Sequence, residues 1–322
     1  MKRRAFLAAV GVALAAPRLG RAQQSGKVYR IGWLGNSKLD SPEAIRIWDA
    51  FRLELQRWGW SEGRNITFVH RFADGVLERH PQLARELVEL KVDLIMTTSG
   101  TGAAAAKNAS GTIPVVFAFV PNAVELGLVA SLARPGGNLT GLQTSGVELV
   151  GKRLELLKEA FPRISRIGYL AVPASLYNQE ASRAAEKLGV QLLSAKVERA
   201  EDLSAAFAAP MRADAWFIGE AILYFAKRKT IVEAIATLRR PAMYSSTLFV
   251  DVGGLMAYSA DQVDQIRRAA GLVDKILRGA KPADLPIEQP TRFELAINLK
   301  TARQLGITIP PSFLARADRV IE

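Results

Sequence analysis

A single unit recurs along this chain, an apolar strand followed by a short polar loop and an amphipathic helix, and no other feature of the sequence restricts the fold as much. VYRIGWLG (28–35) reads as a buried strand closed by the turn-forming Asn36, Ser37 and Lys38. A helix follows, because Ser41 stands as N-cap, Pro42 takes the first helical position, and Ile45, Trp48, Phe51 and Leu55 share one face. The unit then repeats, with ITFVHRF, VDLIMTT and IPVVFAFV as strands and 80–90 and 102–108 as helices. Alternation at this spacing builds a parallel sheet flanked by helices. The near-continuous apolar runs fit, since parallel strands are covered on both faces.

RPGGNLTGLQ (134–143) packs a proline and three glycines between a helix and the next pattern, as a turn and short strand at a domain edge would require. A second series follows, with RIGYLAV, VQLLSAKV, ADAWFIG and PAMYSS as strands and 148–160, 179–188, 201–208 and 224–238 as helices. GGLMAYS (253–259) and a helix over 261–277 then return to one of the lobes, and KPADLPIEQP leads into the strand FELAINL and the helix LKTARQLG. A chain of 322 residues suits two domains of roughly 100–200 residues each. The fold class read from this is α/β, two doubly wound parallel-sheet lobes.

Residues 1–22 differ in kind. Lys2, Arg3 and Arg4 precede an uncharged stretch from Ala5 to Ala16, and Gly20 and Ala22 offer small residues for cleavage, the pattern of a signal peptide. A dozen residues span about 18 Å as a helix against a hydrocarbon core of roughly 30 Å, so no stable membrane anchor is expected after cleavage. RRAFL also fits a twin-arginine signal, which leaves both export routes open. The sequence has no cysteine, which removes lipid attachment, disulfides, thiolate nucleophiles and zinc–sulfur sites. His70 and His80 are too few for most metal clusters. The formal charge of +12 drops when Lys2, Arg3, Arg4, Arg18 and Arg21 leave with the leader, and the remaining cations are scattered, so no nucleic-acid partner is expected.

Ligands of open parallel sheets bind beyond the carboxyl ends of the strands, where helix N-termini present unpaired amides. Those loops are small and polar here. Thr98, Ser99 and Thr101 follow the third strand and place hydroxyls at a helix start that favours a carboxylate or phosphate, while Thr98 and Ser99 acting only as caps is the plainer alternative. Gly100 and Gly102 match a dinucleotide fingerprint, but it follows the third strand rather than the first, and the next strand ends in Pro121 and Asn122 without a ribose-binding acid. Other strand ends contribute Asn36 and Ser37, Phe119 and Asn122, Tyr177 and Asn178, and Glu220. Glu220 opposite the hydroxyl-rich helix start would let one ligand present an ammonium to the first and a carboxylate to the second, or it simply satisfies a helix dipole. No G-x-S-x-G elbow, Walker loop or histidine beside a nucleophile appears, so a binding protein rather than an enzyme is expected, with no cofactor and no metal.

GWSEGRNITFVHRFADG (59–75), LVELKVDLIMTTSGTGAAAAKNA (87–109), GLVASLARPGGNLTGL (127–142), FVDVGGLMAYS (249–259) and the stretch from Lys281 to Asp318 resemble the tryptophan/tyrosine-type substrate-binding proteins of ABC transporters. The resemblance spans essentially the whole mature chain. It implies a type I periplasmic-binding fold with a three-crossover hinge, residues 28–145 plus 251–283 forming one lobe and 146–250 plus 284–322 the other. It also implies cleft loops at Asn36, Ser37, Thr98, Ser99, Thr101, Asn122, Asn178 and Glu220. Two departures stand out. The family's Asp-Pro-Val is replaced by Asn122, Ala123 and Val124, and Ser259 stands where the family has Gly. Losing the acid removes a partner for a ligand ammonium. The function implied is delivery of a small polar or carboxylate-bearing solute, amino-acid-like or an aromatic acid, from the periplasm to an inner-membrane ABC permease. A sensory ligand-binding subunit and an exported oxidoreductase are the alternatives.

Overall fold

The computed structural model describes residues 27–171, 175–208 and 212–322; the leader expected at 1–22 lies outside the described residues. The first lobe opens with β1 (Tyr29–Gly35), α1 (Pro42–Arg57), β2 (Ile66–Phe72), α2 (His80–Glu89), β3 (Leu94–Thr97), α3 (Gly100–Ala109), β4 (Val115–Pro121) and β5 (Leu139–Thr144). Its five strands are all parallel, in the order β2-β1-β3-β4-β5. Ser41 does cap α1, its side chain accepting from the Ala44 N–H, with Pro42 at the first turn.

The second lobe runs through α4 (Leu149–Ala160), β6 (Arg166–Ala171), α5 (Leu176–Lys187), β7 (Gln191–Lys196), α6 (Asp202–Ala208), β8 (Ala215–Ile218), α7 (Ile222–Ala226), α8 (Arg228–Leu238), β9 (Ala242–Tyr244), α9 (Thr247–Asp251) and β10 (Met256–Ala260). After α10 (Gln262–Leu277), the chain completes it with β11 (Phe293–Asn298), α11 (Leu299–Leu305), α12 (Pro311–Leu314) and β12 (Arg319–Ile321). The sheet order is β12-β11-β10-β9-β8-β6-β7, parallel except where β10 meets β11.

Strand periodicity places the cores. Ile31, Trp33, Leu94 and Met96 enter one apolar cluster of the first lobe, and their neighbours Leu34 and Ile95 enter another. In the second lobe Tyr169, Phe217 and Met243 face one cluster while Leu170, Trp216, Ile218 and Tyr244 face the other. Each sheet is thus sandwiched between two helical layers.

The chain passes between the sheets three times, from β5 to α4, from β10 to α10, and between Glu288 and β11. The lobe limits implied by the resemblance need correcting at two of these. Residues 251–260 do not join the first lobe, because β10 pairs with β9 and with β11 inside the seven-stranded sheet. The passage falls one element later, and it is α10 whose Ile266, Ala269, Leu272 and Val273 pack into the first-lobe core. Residues 284–288 likewise lie on the first lobe, where the Glu288 N–H donates to Gly141 O at 2.9 Å and the Gln143 N–H to Glu288 O at 3.0 Å. An unpaired strand edge beside β5 is what draws them there.

Candidate functional site

The carboxyl ends of both sheets open onto a cavity of about 580 Å³. The first lobe lines it with Trp33 of β1, with Asn36, Ser37 and Leu39 after β1, with Glu43 and Ile47 of α1, with Thr98 and with Phe119; the second lobe supplies Phe225, Ala226, Arg228 and Leu248. Phe119 reaches the cavity through backbone strain. Its φ is +59°, and the β4–β5 register shifts between Phe117 and Val120, a bulge that turns one side chain out of the ladder. Asn36 Oδ1 is buried and has no hydrogen-bond partner among the described residues.

Of the ten residues singled out from the sequence, Asn36, Ser37, Thr98 and Phe119 line this cavity. Ser99 caps α3, accepting from the Gly102 N–H at 3.1 Å, and the Thr101 hydroxyl lies 3.4 Å from it. Asn122, at φ +45°, donates to Glu125 at 3.0 Å within its own loop. Of the remaining three, Glu220 follows β8, whereas Tyr177 and Asn178 lie in the first turn of α5 rather than in a strand-end loop. Asn178 Oδ1 accepts from the Tyr169 hydroxyl at 3.0 Å. Glu220 Oε2 accepts from the Tyr177 hydroxyl at 3.1 Å, and its Oε1 pairs with Arg153 Nη2 at 2.9 Å. Burial, then the adjacent Glu220 charge, pushes the Tyr177 phenol far above its ordinary range.

Arg153 escaped the sequence reading because an arginine inside an amphipathic helix looks like a surface residue. It is 1% exposed. Its Nε donates to Tyr258 O at 2.8 Å, Nη1 to Gly146 O at 3.3 Å, and Nη2 also to Ser245 O at 2.8 Å. A methyl group at Gly146 would sit 2.2 Å from the Tyr177 hydroxyl and 2.4 Å from Glu220 Oε2, so only glycine fits beneath this network.

Glu43 and Arg228 were also missed. An acid in the first turn of α1 reads as a dipole partner, and Arg228 was hidden inside what looked like one helix over 224–238. The chain instead breaks at Lys227 (φ −104°, ψ 18°), which makes Arg228 the first residue of α8, with no acid in that first turn. A cation there opposes the helix dipole, at roughly 0.3–1 kcal/mol. Burial pushes the Glu43 carboxyl above its ordinary range, with Arg228 the strongest opposing influence. Among the described residues no helix is long and apolar enough to cross a membrane, and no group of three metal-ligating side chains forms.

Two α/β lobes, a chain that crosses between them three times, and a cavity at the facing strand ends define a bilobal solute-binding protein of the type I periplasmic fold. The chain belongs to the ABC transporter substrate binding protein family, which matches it over residues 38–321. It is 26% identical over 280 residues to the tyrosine-binding protein of Clostridioides difficile, covering 85% of this chain and 81% of the relative. Among solved structures, the ABC domain in complex with L-Trp from Streptococcus pneumonia superposes with a TM-score of 0.81 at 26% identity, covering 92% of this chain and all of that one. A conserved domain protein from Vibrio cholerae gives the same TM-score at 27% identity, over 91% of this chain and all of that one.

Proposed function

We propose that this protein captures a small carboxylate-bearing solute of the aromatic amino-acid class in the periplasm and presents it to an inner-membrane ABC permease. The observation that carries this reading is the cavity between the lobes. Its volume falls within the roughly 300–1,000 Å³ usual for small-molecule sites, and its walls pair apolar and aromatic surface with a few convergent polar groups. Trp33, Phe119, Phe225 and Leu248 supply the apolar wall; Asn36, Ser37 and Thr98 supply the polar rim. The names of the relatives, one tyrosine-binding and one holding L-Trp, support an aromatic solute. Export rests on the basic and apolar leader of residues 1–22.

The test is a thermal-shift screen of the mature chain against L-tryptophan, L-tyrosine, L-phenylalanine, deaminated aromatic acids and sugars. A solute at 100 times its dissociation constant stabilises the folded protein by about 2.7 kcal/mol. An aromatic amino acid is expected to raise the melting temperature. A screen in which no compound does so overturns the solute-binding reading, and one in which only sugars do so overturns the solute class.

A further inference from the structure

Among the residues lining the interlobe cavity, two carry a full charge, and they come from opposite lobes: Glu43 from the first turn of α1 and Arg228 from the first turn of α8. Among the described residues neither forms an ion pair; Arg228 donates only to Phe225 O, at 3.0 Å, and Glu43 has no side-chain hydrogen bond. The other acid that the sequence suggested for the cleft, Glu220, has both oxygens engaged by Arg153 and Tyr177. The cavity therefore carries one anion and one cation from opposite lobes, each felt by the other but joined by no ion pair, and Trp33, Phe119, Phe225 and Leu248 line it beside them. A partly buried carboxylate gains from a cation brought into its surroundings, and a guanidinium at a helix start gains from an anion that the dipole also favours.

We propose that Glu43 and Arg228 are the specificity-determining pair of this cleft, Glu43 receiving the solute's ammonium and Arg228 its carboxylate while the apolar walls hold the side chain. This rests on the reading of the cleft as the solute site. It selects zwitterions: a solute with one charge would leave the opposite protein charge desolvated and unpaired when the lobes close. Arg46 and Asp251 also lie within electrostatic range of Glu43, with opposite signs, but neither lines the cavity.

Calorimetry on the mature protein, with L-tryptophan, tryptamine and indole-3-propionate measured directly or by competition, separates the two poles. The wild type is expected to prefer L-tryptophan over each one-charge analogue by about tenfold or more. Glu43→Gln is expected to abolish the preference over indole-3-propionate and keep that over tryptamine. Arg228→Gln is expected to do the reverse, and near-UV circular dichroism checks that both variants fold. Equal weakening of all ligands in either variant would make the pair a closing latch rather than a reader of the ligand, and unchanged affinities would remove it from the site; both overturn the inference. If an uncharged solute from the thermal-shift screen binds and tryptophan does not, the inference falls while solute binding itself stands.

Discussion

At the scale of the residue, Arg153 shows how much one buried charge can organise. Its guanidinium joins the carbonyls of Gly146, Ser245 and Tyr258 to the Glu220 carboxylate, and Glu220 in turn takes the Tyr177 hydroxyl. Replacing a buried ion pair with apolar groups can be nearly neutral, but removing one member strands the other, at about 3–5 kcal/mol. Arg153→Met is therefore expected to destabilise the chain by about that amount, since Glu220 loses its counter-charge and three carbonyls lose their donor. Glu220→Gln should cost less, because an amide still accepts from Arg153. The double variant should fall short of the sum of the two, since the second change removes a partner already orphaned by the first. Urea titrations of the four proteins measure this coupling; strict additivity would show that Arg153 and Glu220 do not act as a pair.

At the scale of the element, the strand and helix pattern was legible because each strand is either a continuous apolar run or an alternation, and Ser41 and Pro42 mark the start of α1 openly. What stayed hidden depends on contacts distant in sequence. The run at β10 suits either sheet, and only its pairing with β9 and β11 decides. The break at Lys227 lies inside an unbroken helical pattern, so Arg228 gave no sign of facing a cleft. Four cavity residues were legible from strand-end position alone, whereas Arg153 and Glu43 sit on helices and reach their sites through packing. The β4 bulge joins the two kinds of information. Phe119 lies near the end of an apolar strand, as the sequence shows, but its left-handed backbone costs roughly 1–3 kcal/mol and turns the ring to the cavity. Phe119→Gly should relieve that strain and offset the lost packing, leaving stability within about 1 kcal/mol of wild type. Solute affinity, by contrast, should fall about tenfold with the loss of an aromatic wall. A variant equally stable and equally tight-binding would show that the bulge serves the sheet rather than the site.

At the scale of the whole molecule, the three passages between the lobes form one linked hinge. Arg153 ties the first, through Gly146 O, to the strand that leads into the second, through Tyr258 O, and the Asp261 N–H ties the second to the third by donating to Arg292 O at 3.0 Å. Several polar atoms near the first two passages are buried without partners among the described residues: Gln143 Oε1, Thr144 Oγ1, Ser259 Oγ and Gln262 Oε1. Closure is favoured in proportion to how much better the solute binds the closed form than the open one. A solute that touches both walls, Glu43 and Trp33 on one side and Arg228 and Phe225 on the other, has that preference built in. Small-angle scattering of the protein should therefore show a smaller radius of gyration at saturating L-tryptophan than without it. Arg228→Gln, which loosens the grip of the second lobe alone, should reduce the contraction at equal saturation. Saturation with an unchanged radius of gyration would mean that one lobe holds the solute by itself, and the hinge would then have no part in capture.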